Sequence, residues 1–550
     1  MSSCKFSYSL FTPVLYPSKP KKNYLSGKPI TAMIYRNRRA AYSNFILVFV
    51  AIKIALNLLS ISNFGFHRDE LLHLTLGDHL DWGYKEVPPF IAFLARMSLS
   101  IFGDSVFASR ILTTVASGLI IWLTGMITRE LGGKKFAIAL ACLSLILAPA
   151  FAASGYLFQP VVFDQLWWVL TVWLLIKYSN TTNISYLYAV GITVGVGMLT
   201  KYTMAFFAIA LVIGILISKQ RKLLFNKHAL GAALLSLLIF APNLVWQWRN
   251  NFPVAGHMNE LRSTQLEHIT AGDFIIQQLL VNGAALPVWI TGFLFLLFSF
   301  KLRKFQFLAM GYVLIFLFLL QMNGKNYYLF GAYPMLFAAG GYAFDRILKT
   351  SRKPLKAAVI ILFTVPNLLL LPLVMPVLPI RQTLAFFEFN NKNLPFLSFI
   401  TKWEDQQQHA TTQDYADMFG WQEMTALVAK AYNGLGAEHK PHTAIIADNY
   451  GQAGAIHILG ARYNLPPVIC LNSSFALWAP EQIAARYIIY VAEEFDDMKH
   501  LLPMVESYHS IGEVQHPFAR EKGTGVYLLV NPKPALNELY KKDLEATRKK

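Results

Sequence analysis

The sequence predicts a mainly α-helical membrane protein: a bundle of about eleven transmembrane helices, eleven to thirteen in range, followed by a soluble α/β domain. Three observations carry this reading. The chain of 550 residues is 55% hydrophobic and only 15% charged, with a mean hydropathy of +0.41, whereas a soluble protein carries about 25% charge. Apolar runs recur at close to the roughly 20 residues that cross a bilayer. The charge also divides along the chain. Residues 1–376 hold 33 Lys and Arg against 12 Asp and Glu, and residues 377–550 hold 16 against 19. The basic excess therefore belongs to the apolar part, where it flanks the spans. A nucleic-acid interface needs basic residues gathered on one face, so nucleic acid is excluded as a partner.

The first 41 residues form a basic arm with eight Lys and Arg and no acid, which the positive-inside rule keeps in the cytoplasm. No apolar run followed by a small-residue cleavage site marks a signal peptide. The lead reads either as a disordered arm from Met1 or as a shorter one from Met33. Spans follow near 42–62, 107–128, 136–153, 160–178, 184–200, 202–218, 229–248, 274–299, 305–322, 328–348 and 356–376. A short interfacial or re-entrant helix fits 88–102, after Pro88-Pro89. Basic clusters recur at every second loop: 129–135, Lys177, 219–227, 301–304 and 346–356. An odd number of spans then exports the tail 377–550 to the extracytoplasmic side of a bacterial inner membrane. The three cysteines, Cys4, Cys142 and Cys470, are too scattered for a disulfide framework or a zinc site.

Acids gather on the external side. The first in the chain is Asp69, within the external loop 63–106. Ten of the twelve acids before residue 377 fall in external segments, Glu267 among them, and Glu130 and Asp345 are the internal pair. The stretch 68–80 fits an interfacial helix on which Asp69 and His73, four apart, share a face. Asp164 stands four residues after Pro160 at the mouth of an apolar span, a costly place for an acid unless it functions; the plain alternative is an acid exposed at the interface. Lys201, Lys325 and Arg249 are external cations against the orientation rule. A lipid phosphate in the outer leaflet explains them, as does snorkelling to headgroups.

Carboxylates beside an apolar groove with several cations suit transfer of a group from a lipid phosphate. Cations make the phosphate a good leaving group, and a carboxylate can take the proton of an acceptor hydroxyl. Attack in one step inverts the transferred centre. The reaction calls for no cofactor. Asp69, His73 and His79 offer a grouping for a divalent metal, but two His and an Asp on an interfacial helix read more simply as polar-face residues.

In order along the chain stand RDELLHLTLGDHLDWGYKEVPPFIAFLAR, RELGGKKFA, QPVVFDQLWW, GMLTKYT and GKNYYLFGAYPML. Over about residues 40–350 this series resembles the GT-C glycosyltransferases, closest to the bacterial protein O-mannosyltransferase and lipid A aminoarabinose transferase branch, which is glycosyltransferase family 39-like. The resemblance implies a polyprenyl-phosphate sugar donor and an external glycolipid, lipid A, polysaccharide or protein acceptor. It implies Asp69 as catalytic base, Glu70 as second member of an Asp-Glu pair, and Asp164 as the acid of a later span. Lys201, Lys325 and Tyr328 match positions facing the lipid phosphate, and Arg68, Tyr84 and Arg249 are expected to help hold substrate. The aminoarabinose branch places a Lys directly before Pro-Pro, where this chain has Val87; Lys85, two residues upstream, is expected to reach the same phosphate.

In the tail, TAIIAD, RYIIYVAE and GVYLLVNP read as strands, and 414–432 and 449–460 as helices. The turn Asp448 to Gly454 joins a strand to a helix. It offers either an anion site at the helix N-terminus or plain packing. The rival functional class is a polytopic transporter or lipid flippase. Paired halves with matching broken helices would mark one, and the sequence has no internal repeat.

Overall fold

The computed structural model describes residues 28–264, 266, 269–348 and 352–549, with side chains from Tyr42 to Arg548. The arm before residue 28, Cys4 and Glu267 lie outside the described residues. In order, the helices are α1 Lys28–Ser60, α2 Arg68–Leu76, α3 Phe90–Phe102, α4 Val106–Glu130, α5 Lys135–Leu147, α6 Pro149–Ser154, α7 Pro160–Thr181, α8 Ile184–Met198, α9 Thr203–Ile217, α10 Lys227–Arg249 and α11 Pro253–Thr264. Then come α12 Ala271–Leu280, α13 Leu286–Phe298, α14 Gln306–Gln321, α15 Tyr333–Ile347, α16 Lys353–Leu370, α17 Ile380–Asn393, α18 Gln413–Ala416, α19 Trp421–Asn433, α20 Tyr450–Gly460, α21 Phe495–Met498 and α22 Pro534–Lys549.

Every predicted span carries a helix. Among the described residues six helices are long and apolar enough to cross a membrane; α12 and the segment Gly283–Phe298 that holds α13 pass the same test only together and are bent by 90° at the break between them. α5, α8 and α9 are apolar but shorter, at 13, 15 and 15 residues. α3 occupies the place expected for a short interfacial helix. The helices approach closely where a side chain is missing. A Cβ at Gly292 of α13 would lie 1.9 Å from the Leu336 carbonyl oxygen of α15, and one at Gly340 would lie 2.0 Å from that of Val288. Small residues let backbones meet in this way where no hydrophobic force separates helix from lipid.

α4 sets the depth of the bundle. Arg110 near its start and Glu130 at its end are 20 residues apart, roughly 30 Å along a helix axis, which is about the apolar thickness of a bilayer. At the Glu130 end, Lys177 and Arg129 lie 3.4 and 3.3 Å from the carboxylate, and Lys356 pairs with Asp345 at 2.5 Å. The two predicted internal acids are thus both spent on predicted internal bases.

The tail builds a five-stranded sheet in the order β2-β1-β3-β5-β4, from β1 Thr443–Ala447, β2 Val468–Ile469, β3 Tyr487–Ala492, β4 Ser507–Glu513 and β5 Gly525–Val530. β1 runs parallel to β2 and β3, with Ile445 opposite Ile489, and β5 is antiparallel to β3 and β4, with Tyr490 opposite Tyr527. β1, β3 and β5 were the predicted strands. β2 is only two residues long, and β4 is an exposed, polar edge. β1 is flanked on both sides by parallel strands, so the helix that follows it, α20, starts at the carboxyl edge where such sheets place their sites. One continuous core joins the parts: Leu71 and Leu74 of α2 share it with Ala453 and Ile456 of α20 and with Ile445 and Ile489 of the sheet.

Candidate active site

α2 is built to present a carboxylate. His67 is its N-cap: its ring accepts from the Asp69 amide at 3.1 Å, while the Glu70 carboxylate accepts from the His67 amide at 2.9 Å. This capping box satisfies two donors that a helix start leaves open, and Asp69 and Glu70 face the positive end of the helix.

The two acids then diverge. Glu70 is fully buried. Its Oε1 accepts from Arg110 Nε and the Phe158 amide, both at 2.9 Å, and its Oε2 accepts from Arg110 Nη2 at 2.8 Å as well as from His67. Arg110, also fully buried, donates onward to the Ile61 and Gly65 carbonyls at 3.1 and 2.8 Å. With four donors on its two oxygens, Glu70 ties α2 to α4 and to the approach of α7. Asp69 is only half-buried. Its Oδ1 accepts from the Tyr450 hydroxyl at 2.9 Å and its Oδ2 from Gln159 Nε2 at 3.0 Å, which leaves lone pairs on both oxygens. Burial pushes its pKa up, but the neighbouring His67 and His73, the Tyr450 hydrogen bond and Arg68 outweigh it and hold the carboxyl below its ordinary range. Asp69 is ionised at neutral pH.

The other side of the His67 ring faces two acids. Its Nε2 lies 3.8 Å from Asp414 and 3.9 Å from Asp417. Burial pushes its pKa down, while Asp414, Asp69 and Asp417 push it up. A second proton would go on Nδ1, the nitrogen that accepts from the Asp69 amide, so the cap bond and the protonated ring exclude one another.

A second group lies beside α7 and α9. Asp164 Oδ1 accepts from Trp168 Nε1 at 3.0 Å and its Oδ2 from the Thr203 hydroxyl at 2.7 Å. The Lys201 ammonium sits 4.6 Å from the ring centres of both Tyr327 and Tyr328, a cation–π seat. It feels the charges of Asp164 and Lys325. Lys325, at the N-cap of the turn Asn326–Ala332, feels the carboxylates of Glu404 and Asp69. Lys325 thus links two groups: it feels Asp69 on one side, and on the other it acts on Lys201, which lies by Asp164 and Tyr328.

Other expected substrate residues are engaged elsewhere. The Tyr84 hydroxyl donates to the carbonyls of His79 and Leu76 and accepts from the Asp81 amide, so it fastens the loop after α2. Lys85 Nζ donates to the Thr547 carbonyl in the last turn of α22 at 2.9 Å, where a cation complements the negative end of a helix. Arg68 lies over the Tyr450 ring at 4.7 Å, facing the C-terminal sheet unit. Arg249 is exposed at the end of α10 and joins none of these groups. His73 Nδ1 donates to the Phe158 carbonyl and His79 stacks on Trp478 with ring centres 4.1 Å apart. Among the described residues no three His, Cys, Asp or Glu side chains form a group that could hold a metal ion.

Sequence reasoning missed Arg110, His67, Gln159, Thr203 and Tyr450. Arg110 had a signal: a cation just inside a predicted span demands a partner. Tyr450 lies in the flagged turn, whose glycines serve packing. A Cβ at Gly454 would sit 2.8 Å from the Leu71 carbonyl carbon, and one at Gly451 would sit 2.6 Å from Arg68 Cγ.

Residues 86–246 match the family model described as dolichyl-phosphate-mannose-protein mannosyltransferase. That segment contains Asp164 and Lys201 and begins after Asp69. No curated protein matches by sequence. Among solved structures, the crystal structure of ArnT from Cupriavidus metallidurans bound to undecaprenyl phosphate aligns with a TM-score of 0.59 and 14% identity, over 88% of this chain and 98% of that one. Its apo state aligns with a TM-score of 0.59 and 14% identity, over 89% and 98%. A cryo-EM structure of the arabinofuranosyltransferase AftD from Mycobacteria aligns with a TM-score of 0.50 and 10% identity, over 89% of this chain and 40% of that one. At such identities the likeness is one of fold.

Proposed function

We propose that this chain, a GT-C-type membrane protein of glycosyltransferase family 39-like kind, is an inverting glycosyltransferase that moves a sugar from a polyprenyl-phosphate donor to a hydroxyl acceptor outside the cytoplasm. The observation that carries this reading is the half-buried, ionised Asp69, whose carboxylate keeps open lone pairs beside its hydrogen bonds from Tyr450 and Gln159 and whose charge reaches Lys325. The similarity to an ArnT structure that holds undecaprenyl phosphate supports a lipid phosphate as the leaving group.

Asp69 takes the proton of the acceptor hydroxyl as its oxygen attacks the anomeric carbon. The bond from that carbon to the phosphate oxygen breaks, and the polyprenyl phosphate leaves with the electron pair. Lys201 and Lys325 offset the charge that gathers on it. Asp164 holds Lys201 in place and Tyr328 seats it. Residues 42–376 act as the catalytic membrane domain and 377–550 as an extracytoplasmic domain on the acceptor side, with the N-terminal arm in the cytoplasm of a bacterial inner membrane. The acceptor class spans lipid A, other glycolipids, polysaccharide and protein.

Lys201→Ala should lower kcat/KM for the donor roughly 10- to 100-fold, the range for losing a charge-assisted hydrogen bond, which steady-state transfer assays will measure. Mass spectrometry of envelope glycolipids and glycoproteins with and without the gene tests the function itself. One glycan present only with the gene is expected, and identical spectra from cells that make the protein would remove the proposal.

A further inference from the structure

We propose that Tyr450 is a positioning residue for Asp69, so that the seating of the C-terminal sheet unit on α2 arms the catalytic base. This deepens the reading above and rests on Asp69 being the base. The two residues are 381 positions apart, and Tyr450 arrives from the first turn of α20. Its place is set by contacts that need no substrate. Asn449 caps α20, its Oδ1 accepting from the Gly451 and Gln452 amides at 2.9 and 3.0 Å. Gln452 Nε2 donates to the buried Glu521 at 2.9 Å. Gly451 and Gly454 let α20 lie directly on α2, and Arg68 covers the Tyr450 ring.

The phenol then reaches Asp69 Oδ1 while Gln159, from the loop before α7, reaches Oδ2. With one donor on each oxygen the carboxylate cannot turn about its Cβ–Cγ bond. The remaining lone pairs keep one direction, which is what a base needs in order to meet a hydroxyl in a single geometry. Burial and the charge of Asp69 push the Tyr450 pKa well up, so the hydroxyl stays protonated and donates throughout the working range. One half of the clamp comes from the membrane bundle and the other from the sheet unit, and the base is fully held only when both are in place.

The test uses the full-length protein in lipid nanodiscs with a polyprenyl-phosphate sugar and its acceptor. Tyr450→Phe keeps the ring and its contact with Arg68, so it should unfold at the same temperature as the parent. It should lower kcat by about tenfold, the order expected for one hydrogen bond that orients a base, and leave the donor KM unchanged. Loss of the donor should also raise the pKa of Asp69 and move the acidic limb of kcat/KM to higher pH. 3-Fluorotyrosine at 450, a stronger donor, should move that limb the other way and remains informative if the Phe variant unfolds. Parent-like limbs in the folded variants would overturn the proposal, even with a lower kcat, since a merely structural tyrosine changes no pKa. Asp69→Asn, run alongside, separates the two levels. An inactive Asp69→Asn protein with unmoved limbs at position 450 rejects the role of Tyr450 alone. An active one rejects the base and, with it, this proposal.

Discussion

Asp69→Asn should insert, fold and melt as the parent does, and should lose on the order of 10²–10⁴ of the transfer rate, the usual contribution of a positioned general base. The substitution changes one oxygen to an NH₂ of almost the same size. The Tyr450 hydroxyl can still donate to the remaining oxygen, and the Gln159 side-chain amide can flip so that its oxygen accepts from the new NH₂, so the packing of α2 on α20 is undisturbed. What disappears is the site that takes the proton. In the parent, the acidic limb of the rate should lie below the ordinary carboxylate range. The groups that face Asp69, namely His67, His73, Tyr450 and Arg68, outweigh its burial and hold its pKa down. A drop in kcat with donor KM preserved is the expected signature, because the lost interaction belongs to the transition state. A large loss of thermal stability instead would place Asp69 among the structural groups.

The second large effect belongs to the ion pair beneath it. Arg110→Met should destabilise the protein by roughly 3–5 kcal/mol, the cost of leaving one member of a buried pair without its partner. Arg110 and Glu70 are both fully buried and share two short hydrogen bonds, and removal of the guanidinium leaves the carboxylate in an apolar setting. Adding Glu70→Gln to Arg110→Met removes the stranded charge and should recover much of the stability. It should also recover transfer activity in proportion, because the four hydrogen bonds of Glu70 go to Arg110, His67 and Phe158 and hold α2 in place. A stable double variant with no activity would return Glu70 to the chemistry.

The fold was legible because the bilayer imposes length. Apolar runs near 20 residues marked the long helices of the bundle, and the basic loops paired off with Glu130 and Asp345. The short α8 and α9 and the bend between α12 and α13 were less legible, since hydropathy reports apolar content and not where the backbone turns. The three inner strands declared themselves by β-branched and aromatic runs, whereas β4, an exposed polar edge, has no pattern to read. Within the site, Asp69, Asp164, Lys201 and Lys325 stood out because a charge beside an apolar span is costly. Tyr84 and Lys85 were expected from the family resemblance, yet the Tyr84 hydroxyl bonds local backbone and the Lys85 ammonium bonds the end of α22. The partners of Asp69 were not readable. Gln159 and Tyr450 are ordinary polar residues, and only the close stacking of α20 on α2 through Gly451 and Gly454 brings the tyrosine to the carboxylate.

Purified protein in nanodiscs, given a polyprenyl-phosphate sugar of known anomeric configuration and the acceptor found in the envelope, offers the most direct measurement. NMR of the product should show the opposite anomeric configuration, and free polyprenyl phosphate should be released in equal amount. Retained configuration would contradict direct attack assisted by Asp69, and transfer that proceeds without the lipid phosphate donor would contradict the proposed function as a whole.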